Sequence, residues 1–218
     1  YKIDRASYKP ISIHLSIDGS GSMQGKKWDQ VLINTIALGY VSLNMNNIDL
    51  TISIRTTGID PNLSSQTEHI PLLILAFNSK KHTLKDLKKL GNFIAKGLTP
   101  EGMCLNVLNN YIPKSSYYLD SYLINMSDGF PTFESSAFKY KGKSAILDTT
   151  KAVNNIKRKG VKILSYFIES PSSYTKSAEL VKDFRTMYGK SATFIDPKNV
   201  NQVTKTLNNL FLERDLIS

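Results

Sequence analysis

Cysteine is almost absent from this sequence of 218 residues, in which Cys104 is the single one. One cysteine cannot form an internal disulfide, and such usage is typical of a reducing compartment. No apolar stretch reaches the roughly 20 residues that a membrane-spanning helix needs, and no signal peptide is recognisable at the start. We therefore expect no membrane span and a cytoplasmic location. The sequence begins with Tyr1 rather than Met, so we expect a piece of a longer protein.

The motifs of common catalytic classes are also missing. A serine hydrolase of the α/β type needs Gly-x-Ser-x-Gly and a histidine late in the chain, whereas the last histidine here is His82. A phosphotransferase that forms an aspartyl phosphate needs a second acid two residues after Asp18, where this chain has Ser20. No Gly-x-x-x-x-Gly-Lys-Ser/Thr loop is present to bind ATP. We expect a protein that is not an enzyme.

Positive charge is in excess, with a formal net charge of +10. Such an excess favours acidic partners or nucleic acid, although solvated lysine-rich helix faces are the more frequent explanation. A basic nucleic-acid-binding module is therefore one alternative function. The basic residues form two clusters, which are Lys80, Lys81, Lys85, Lys88, Lys89 and Lys96, and Lys139, Lys141, Lys143, Lys151, Lys157, Arg158, Lys159 and Lys162.

The order of apolar patterns is typical of a wound α/β sheet, because strand-like and helix-like segments alternate almost throughout. Two strand-like segments, 50–55 and 70–77, follow each other with no helix between them, which predicts a hairpin and one antiparallel strand at the sheet edge. The segment 56–69 between them has loop chemistry and is long for a hairpin loop.

We predict an α/β fold in a single domain covering residues 1–218: a Rossmann-like doubly wound, mostly parallel six-stranded sheet with one antiparallel edge strand and helices on both faces. Asp148 is predicted to cap the start of the fourth helix. The predicted strands are residues 11–17, 50–55, 70–77, 122–126, 161–168 and 192–195, and the predicted helices are residues 28–44, 84–95, 103–112, 148–159, 177–188 and 200–211.

Oxygen-bearing side chains are concentrated where the first predicted strand turns into a helix. Asp18, Ser20 and Ser22 place one carboxylate and two hydroxyls within five residues, which is the ligand chemistry of a hard divalent cation. In a parallel sheet whose first and fourth strands are neighbours, the turns after those strands open into one crevice, so Asp128 would face Asp18. Two carboxylates held that close repel each other unless a cation lies between them. Thr99 would add a third neutral oxygen, although the Asp18 turn by itself is equally typical of a strand-to-helix turn with a serine cap.

The pattern Asp-x-Ser-x-Ser, then Thr, then Asp, formed by Asp18, Ser20, Ser22, Thr99 and Asp128, resembles the metal-ion-dependent adhesion site of von Willebrand factor type A domains. The resemblance covers essentially the whole chain. Further segments resemble one intracellular branch, which includes the cobaltochelatase-associated subunit and the nitric-oxide-reductase activation proteins. Those segments are Thr99-Pro100-Glu101-Gly102, Ser127-Asp128-Gly129-Phe130-Pro131-Thr132, Tyr140-Lys141-Gly142 leading to Asp148-Thr149 and Ala152-Val153, Tyr188-Gly189 and Ile195-Asp196-Pro197.

The resemblance implies a binding module that uses a bound Mg²⁺, or Mn²⁺ or Ca²⁺, to grip an acidic side chain of a partner protein. In the branch named, such domains are similar to adaptors of ring-forming AAA+ ATPases, which implies a role in metal insertion or complex maturation. An extracellular adhesin domain is a further alternative. Glu101 departs from the small or neutral residue expected beside the threonine, and a second carboxylate near the ion would weaken its attraction for an acidic partner. In this family the last helix shifts when the ion gains a partner carboxylate. The resemblance therefore implies that any such motion would occur in residues 200–211.

Other conspicuous residues are interpreted as packing. His14, in mid-strand, is expected to be a core histidine with a hydrogen-bond partner, because hard-cation sites prefer oxygen. Cys104 is expected to be a buried small hydrophobe, and Trp28 and the pairs Tyr117-Tyr118 and Tyr166-Phe167 are expected to be core or half-buried.

Overall fold

A central sheet of six strands organises the chain in the computed structural model, which describes residues 9–59, 69–135, 138–168 and 178–196 together with residues 203 and 205. The strand order is β3-β2-β1-β4-β7-β8, and every neighbouring pair is parallel except β2 with β3. The prediction of a mostly parallel sheet with one antiparallel edge strand is confirmed. The strands are β1 (Ile11–Asp18), β2 (Ile48–Ile59), β3 (His69–Asn78), β4 (Asp120–Ser127), β7 (Lys162–Ile168) and β8 (Ala192–Ile195), and a separate two-stranded hairpin consists of β5 (Phe133–Glu134) and β6 (Lys139–Tyr140).

Helices cover both faces of this sheet, as predicted. On one face, α1 and α2 pack against Ile13, Leu15 and Ile17 of β1 in one apolar cluster. On the opposite face, α3, α4 and α5 pack against Leu123 of β4 and Phe167 of β7 in a second cluster. The α-helices are α1 (Lys26–Asn44), α2 (Leu84–Lys88), α3 (Glu101–Leu108), α4 (Gly142–Lys157) and α5 (Ala178–Tyr188).

The parallel register brings the ends of β1 and β4 to one edge of the sheet. Asp18, the last residue of β1, pairs with Arg55 of β2, and the preceding Ile17 pairs with Met126 of β4. Asp128 follows β4 directly, so it leaves the sheet beside Asp18. This edge is where ligands bind in open parallel sheets, because the turns after neighbouring strands diverge there.

Two helix predictions are corrected by the structure. The helix predicted at 148–159 begins at Gly142, so Asp148 lies inside α4 rather than at its cap, and its carboxylate accepts a hydrogen bond of 3.0 Å from the hydroxyl of Tyr140. The buried stripe of α4 already includes Ala145 and Ile146, which explains the earlier start. The helix predicted at 84–95 ends at Lys88 and continues only as a 3₁₀ turn over Lys89–Asn92.

The hairpin of β2 and β3 is longer than predicted. Thr56 pairs with Leu72 and Ile59 pairs with His69, so both ends of the predicted loop 56–69 belong to the ladder. β-branched residues such as Thr56, Thr57 and Ile59 favour extended backbone, which explains why the strand continues beyond Arg55. Residues 60–68, the centre of the predicted insertion, lie outside the described residues, and so does nearly all of the predicted helix 200–211.

The packing predictions hold for most of the aromatic residues but not for one pair. Trp28, Tyr166 and Phe167 are buried, whereas Tyr117 and Tyr118 are 86% and 78% exposed, so the prediction for that pair is wrong. The two tyrosines lie in a turn closed by a bridge between Ser116 and Leu119, which directs their rings into solvent.

Two smaller predictions are confirmed by burial. Cys104 is buried, and burial raises the pKa of its thiol to about 12. His14 is also buried, and its Nε2 lies 2.8 Å from the hydroxyl oxygen of Ser53, so it is a core histidine with a partner. Among the described residues, no helix has the length and apolar character to cross a membrane.

Candidate metal centre

Two carboxylates lie at the edge of the sheet where β1 and β4 end. Asp18 closes β1 and its side chain is fully buried, and the side chain of Asp128, just after β4, has no exposed surface either. The chain after Asp18 turns through Ser20 into a 3₁₀ turn, Gly21–Met23, and then enters α1. The turn therefore holds Ser20 and Ser22 beside both carboxylates.

Donors from three separate segments fix the carboxylate of Asp18. Its Oδ1 accepts a hydrogen bond of 2.8 Å from the backbone N–H of Ser20. Its Oδ2 accepts hydrogen bonds from the hydroxyls of Ser127, at 2.9 Å, and Thr99, at 3.4 Å. The orientation of Asp18 is thus set by the protein itself.

The second carboxylate is connected to the first through hydroxyl groups. The hydroxyl of Ser22 donates to Oδ1 of Asp128 over 2.6 Å, and the hydroxyl oxygens of Ser20 and Ser22 lie 3.0 Å apart. Together with the bonds of Asp18, these contacts bring all five residues of the predicted site into one network. The other side chains in this network, Ser127 and Lys27, were not among the predicted site residues.

Backbone hydrogen bonds hold the Thr99 loop against the turn after β1. The N–H of Gly21 donates to the carbonyl of Gly97 at 3.0 Å, and the N–H of Lys96 donates to the carbonyl of Gly19 at 2.7 Å. Gly97 has a φ of +83°, and a Cβ there would lie 2.8 Å from the carbonyl oxygen of Thr57, so glycine is required at this position. On its other side, Thr99 exchanges two backbone hydrogen bonds with Thr132, at 3.0 and 2.9 Å.

The electrostatics of the site favour a cation. Burial raises the pKa of Asp18, the nearby guanidinium of Arg55 lowers it, and the carboxylate of Asp128 raises it again. Two buried like charges are unfavourable in a medium of low dielectric constant. A divalent ion among these oxygens would remove that repulsion.

A buried ion pair lies behind the site. Arg55 is fully buried and its Nη2 donates to Oε1 of Glu101 at 2.9 Å and to the carbonyl of Met126 at 3.0 Å, while Nη1 donates to the hydroxyl of Ser16 at 2.9 Å. Burial alone would lower the pKa of Arg55, but the carboxylates of Glu101 and Asp18 raise it above its ordinary value, so the guanidinium remains charged. The charge of Glu101 is therefore matched by Arg55, which offsets the weakening effect expected from a second carboxylate near the ion.

Lys27, in the first turn of α1, contacts the other oxygen of Asp128. Its ammonium forms an ion pair with Oδ2, and the lysine side chain is only 14% exposed. Lysine is common in exposed helix turns, so nothing in the sequence distinguishes Lys27 from the neighbouring Lys26. The sequence does indicate Arg55 and Ser127, because each is a polar residue that alternates with apolar residues along a strand.

The side chains present fit a hard divalent cation. Two carboxylates and three hydroxyls are oxygen donors of the kind that Mg²⁺, Mn²⁺ and Ca²⁺ accept, and no thiolate or imidazole is among them. Across the described ranges, no three His, Cys, Asp or Glu side chains gather closely enough to hold a metal ion. A cation at this edge would consequently be bound by two carboxylates and by neutral hydroxyls.

Comparisons with known proteins identify the fold. No protein-family model matches the sequence, and no curated protein sequence matches it. Among solved structures, the von Willebrand factor domain of the type V pili tip protein Mfa5 from Porphyromonas gingivalis is similar over 93% of this chain and 96% of that one, with a TM-score of 0.59 and 14% identity. A von Willebrand factor type A structure from Catenulispora acidiphila is similar over 91% of this chain and 42% of that one, with a TM-score of 0.54 and 14% identity.

A larger protein contains a similar structure as one part. The pilus adhesin SpaC from Lactobacillus rhamnosus GG is similar over 92% of this chain, with a TM-score of 0.63 and 13% identity, and this chain spans 30% of its length. At such identities the likeness concerns the fold alone. The chain has an α/β fold of the von Willebrand factor A type.

Proposed function

We propose that this chain is a divalent-cation-dependent protein-binding module with a metal-ion-dependent adhesion site. The observation that carries the proposal is the convergence of Asp18, Asp128 and three hydroxyl side chains at the edge where parallel strands end. Von Willebrand A-type domains are often adhesion or protein-binding modules, which agrees with this interpretation.

The ion would be held by residues that the fold has already oriented. Ser20, Ser22 and Thr99 would supply neutral oxygens, and Asp18 and Asp128 would bind directly or through water. Mg²⁺ is the first candidate, with Mn²⁺ and Ca²⁺ as alternatives, because all three are hard cations. When bound, the ion supplies a position for a carboxylate of the partner protein. We assign no catalytic role to the chain.

A metal titration tests the site without knowledge of the partner. We expect the wild-type protein to bind one Mn²⁺, measured by the loss of the free-ion signal in electron paramagnetic resonance. Asp18→Asn keeps the size of the side chain and an acceptor for the Ser20 N–H but removes the charge, so affinity should fall by about tenfold or more. Asp29→Asn, at an exposed carboxylate in the first turn of α1, is the matched control and should bind like wild type. A wild-type protein that binds no ion would refute the proposal.

For the partner we propose a protein that works with a AAA+ ATPase, in metal insertion or complex maturation, with a cytoplasmic location. This part is supported by the segments around Thr99, Asp128 and Tyr140 that resemble the cobaltochelatase and nitric-oxide-reductase activation branch. If an AAA+ ATPase is encoded beside this gene, it should coelute with the full-length protein in Mg²⁺ and separate from it in chelator. Coelution that ignores the chelator would contradict ion-mediated capture.

An extracellular adhesin is the second candidate function. It is favoured by the similar folds of the pilus adhesin SpaC and the pilus tip protein Mfa5. The full-length sequence distinguishes the two candidates, because an adhesin requires a secretory leader.

A nucleic-acid-binding module remains as the third. All six lysines of the first cluster are exposed, which suits nucleic acid and ordinary solvation equally. Affinity for DNA or RNA that falls steeply with salt and ignores Mg²⁺ would favour it.

A further inference from the structure

Lys27 occupies an unusual position for a lysine on a surface helix. Its ammonium contacts Oδ2 of Asp128, its side chain is 14% exposed, and the carboxylate that it contacts is fully covered. The adjacent Lys26 belongs to the same helical turn but is exposed. One of two consecutive lysines is therefore directed into the candidate site.

The ammonium of Lys27 contacts the carboxylate oxygen of Asp128 that the hydroxyl network does not use. Oδ1 accepts the hydrogen bond from Ser22, and Oδ2 faces the ammonium. Asp128 is one of only two carboxylates in the network, so a single positive charge beside it changes the potential of the whole site substantially. At separations of a few ångströms and under partial burial, such an interaction is strong.

We propose that Lys27 is an internal competitor of the divalent ion: its ammonium neutralises Asp128 and so lowers the affinity of the site for metal. This inference rests on the proposed function, since it assumes that the five-residue site binds an ion. Lys27 acts on the ion through Asp128 and is not itself a ligand, because an ammonium has no lone pair to donate.

The same charge has a second consequence for the loaded site. Arg55 and Glu101 balance each other behind it, so Asp18, Asp128 and Lys27 set the charge near the ion. The two aspartates together carry as much negative charge as a divalent ion carries positive charge. The ammonium of Lys27 therefore leaves the loaded site with a net positive charge. Lys27 therefore weakens ion binding while it preserves the attraction for an acidic side chain.

Binding of Mn²⁺ alone tests the proposal, with Lys27→Met as the main variant. Methionine keeps the length and packing of the side chain but removes the charge, so the affinity for Mn²⁺ should rise on the order of tenfold. Lys27→Arg keeps the charge and should bind within about threefold of wild type. Lys26→Met removes an equal charge from the same turn without contact to Asp128, and it should also stay close to wild type.

A thermal unfolding series supplies a second readout and checks folding. Without the ammonium, the Asp128 carboxylate lacks its countercharge, so Lys27→Met should melt lower than wild type in chelator and gain more from saturating Mn²⁺. If Lys27→Met does not fold, Lys27→Gln takes its place in both measurements.

The outcomes separate this inference from the proposed function. A wild-type protein that binds no ion refutes both. Ion binding by wild type with no gain in Lys27→Met refutes the competitor role alone. A loss of affinity for Mn²⁺ in Lys27→Met would mean that the lysine positions Asp128 for the ion. A gain in Lys26→Met equal to that in Lys27→Met would mean that only the overall charge of the helix turn matters. Either result overturns the proposal.

Discussion

The two faces of the central sheet are built from different chemistry. The face under α1 and α2 is mainly apolar, and its buried residues in β1, β2 and β4 include Ile13, Leu15, Ile17, Leu50, Ile52, Ile54, Tyr122, Ile124 and Met126. On the opposite face, under α3, α4 and α5, the same strands and β7 bury apolar residues such as Leu123 and Phe167 beside many polar side chains, among them His14, Ser16, Ser53, Arg55, Asn125, Ser127 and Ser165.

The difference shows how stability and the site are divided between the faces. The apolar face stabilises the fold through burial and close packing. The polar face is connected by directional bonds, such as Arg55 to Ser16 at 2.9 Å and Asn125 to Ser165 at 2.9 Å. Directional bonds fix positions more sharply than apolar contacts do, and Ser127 on the same face donates a hydrogen bond of 2.9 Å to Oδ2 of Asp18. We therefore expect changes on the polar face to alter the site and changes on the apolar face to alter stability alone.

The largest effect is expected for Arg55→Met on the polar face. The change leaves Glu101 buried without its partner, and removal of one member of a buried ion pair costs about 3–5 kcal/mol of unfolding free energy. Urea unfolding measures this loss, and Mn²⁺ titration should show altered affinity as well. In the double variant Arg55→Met with Glu101→Gln, much of the stability should return; a double variant no better than the single one would argue against the pairing.

On the apolar face, Leu15→Ala should cost about 2–5 kcal/mol, because it leaves a cavity in the packed cluster. Leu15 is fully buried and points away from the polar network. Its Mn²⁺ affinity, measured well below the melting temperature, should remain within about threefold of wild type. A larger change in affinity would abolish the distinction between the two faces.

Acid should destabilise the polar face through His14. Burial lowers the pKa of His14 to about 4, whereas the unfolded imidazole titrates near its ordinary value of 6.5. Between these values the unfolded chain binds the extra proton, so stability falls as the pH drops from 6.5 towards 4, by roughly 2–3 kcal/mol from this group. Urea unfolding at several pH values checks this, and His14→Gln should flatten the profile over that window. An identical slope in the variant would contradict it.

The smallest effect is expected for Gly97→Ala in the loop that carries Thr99. Alanine is strained at a φ of +83° and its Cβ would meet Thr57, so the change should cost about 1–3 kcal/mol and weaken Mn²⁺ binding. Gly91→Ala is the matched control, because Gly91 has no positive φ and a Cβ added there would meet no neighbouring atom within 4 Å. If the two variants had the same unfolding free energy and the same affinity for Mn²⁺, the loop would tolerate displacement.

The sequence allowed the topology and the proximity of Asp18 and Asp128 to be predicted, because both depend on where the strands end. Asp18 and Asp128 each follow an apolar strand, and parallel strands place such residues together whatever the details of packing. Thr99 follows no strand, so its predicted place beside the aspartates rested on its oxygen chemistry and on the family resemblance rather than on strand ends.

Other features depend on tertiary contacts, which the periodicity of apolar residues in the sequence does not reveal. Asp148 looked like a helix cap because aspartate favours that position, but the buried stripe of α4 begins at Ala145 and extends the helix backwards. Tyr117 and Tyr118 looked like packing because aromatic pairs are usually buried, yet a turn directs both into solvent. The contact of Lys27 with Asp128 joins residues 101 positions apart, so no local pattern reveals it.

The position of β1 has a consequence for local opening of the fold. β1 is paired along its whole length with β2 on one side and over Ile11–Ile17 with β4 on the other, whereas β3 and β8 form the edges. Amide protons of a strand enclosed in this way exchange with solvent only when the whole structure opens, while edge strands exchange through local fraying. We therefore expect the turn that begins at Asp18 to be attached to a slowly exchanging part of the sheet and to keep its geometry while the edges open and close.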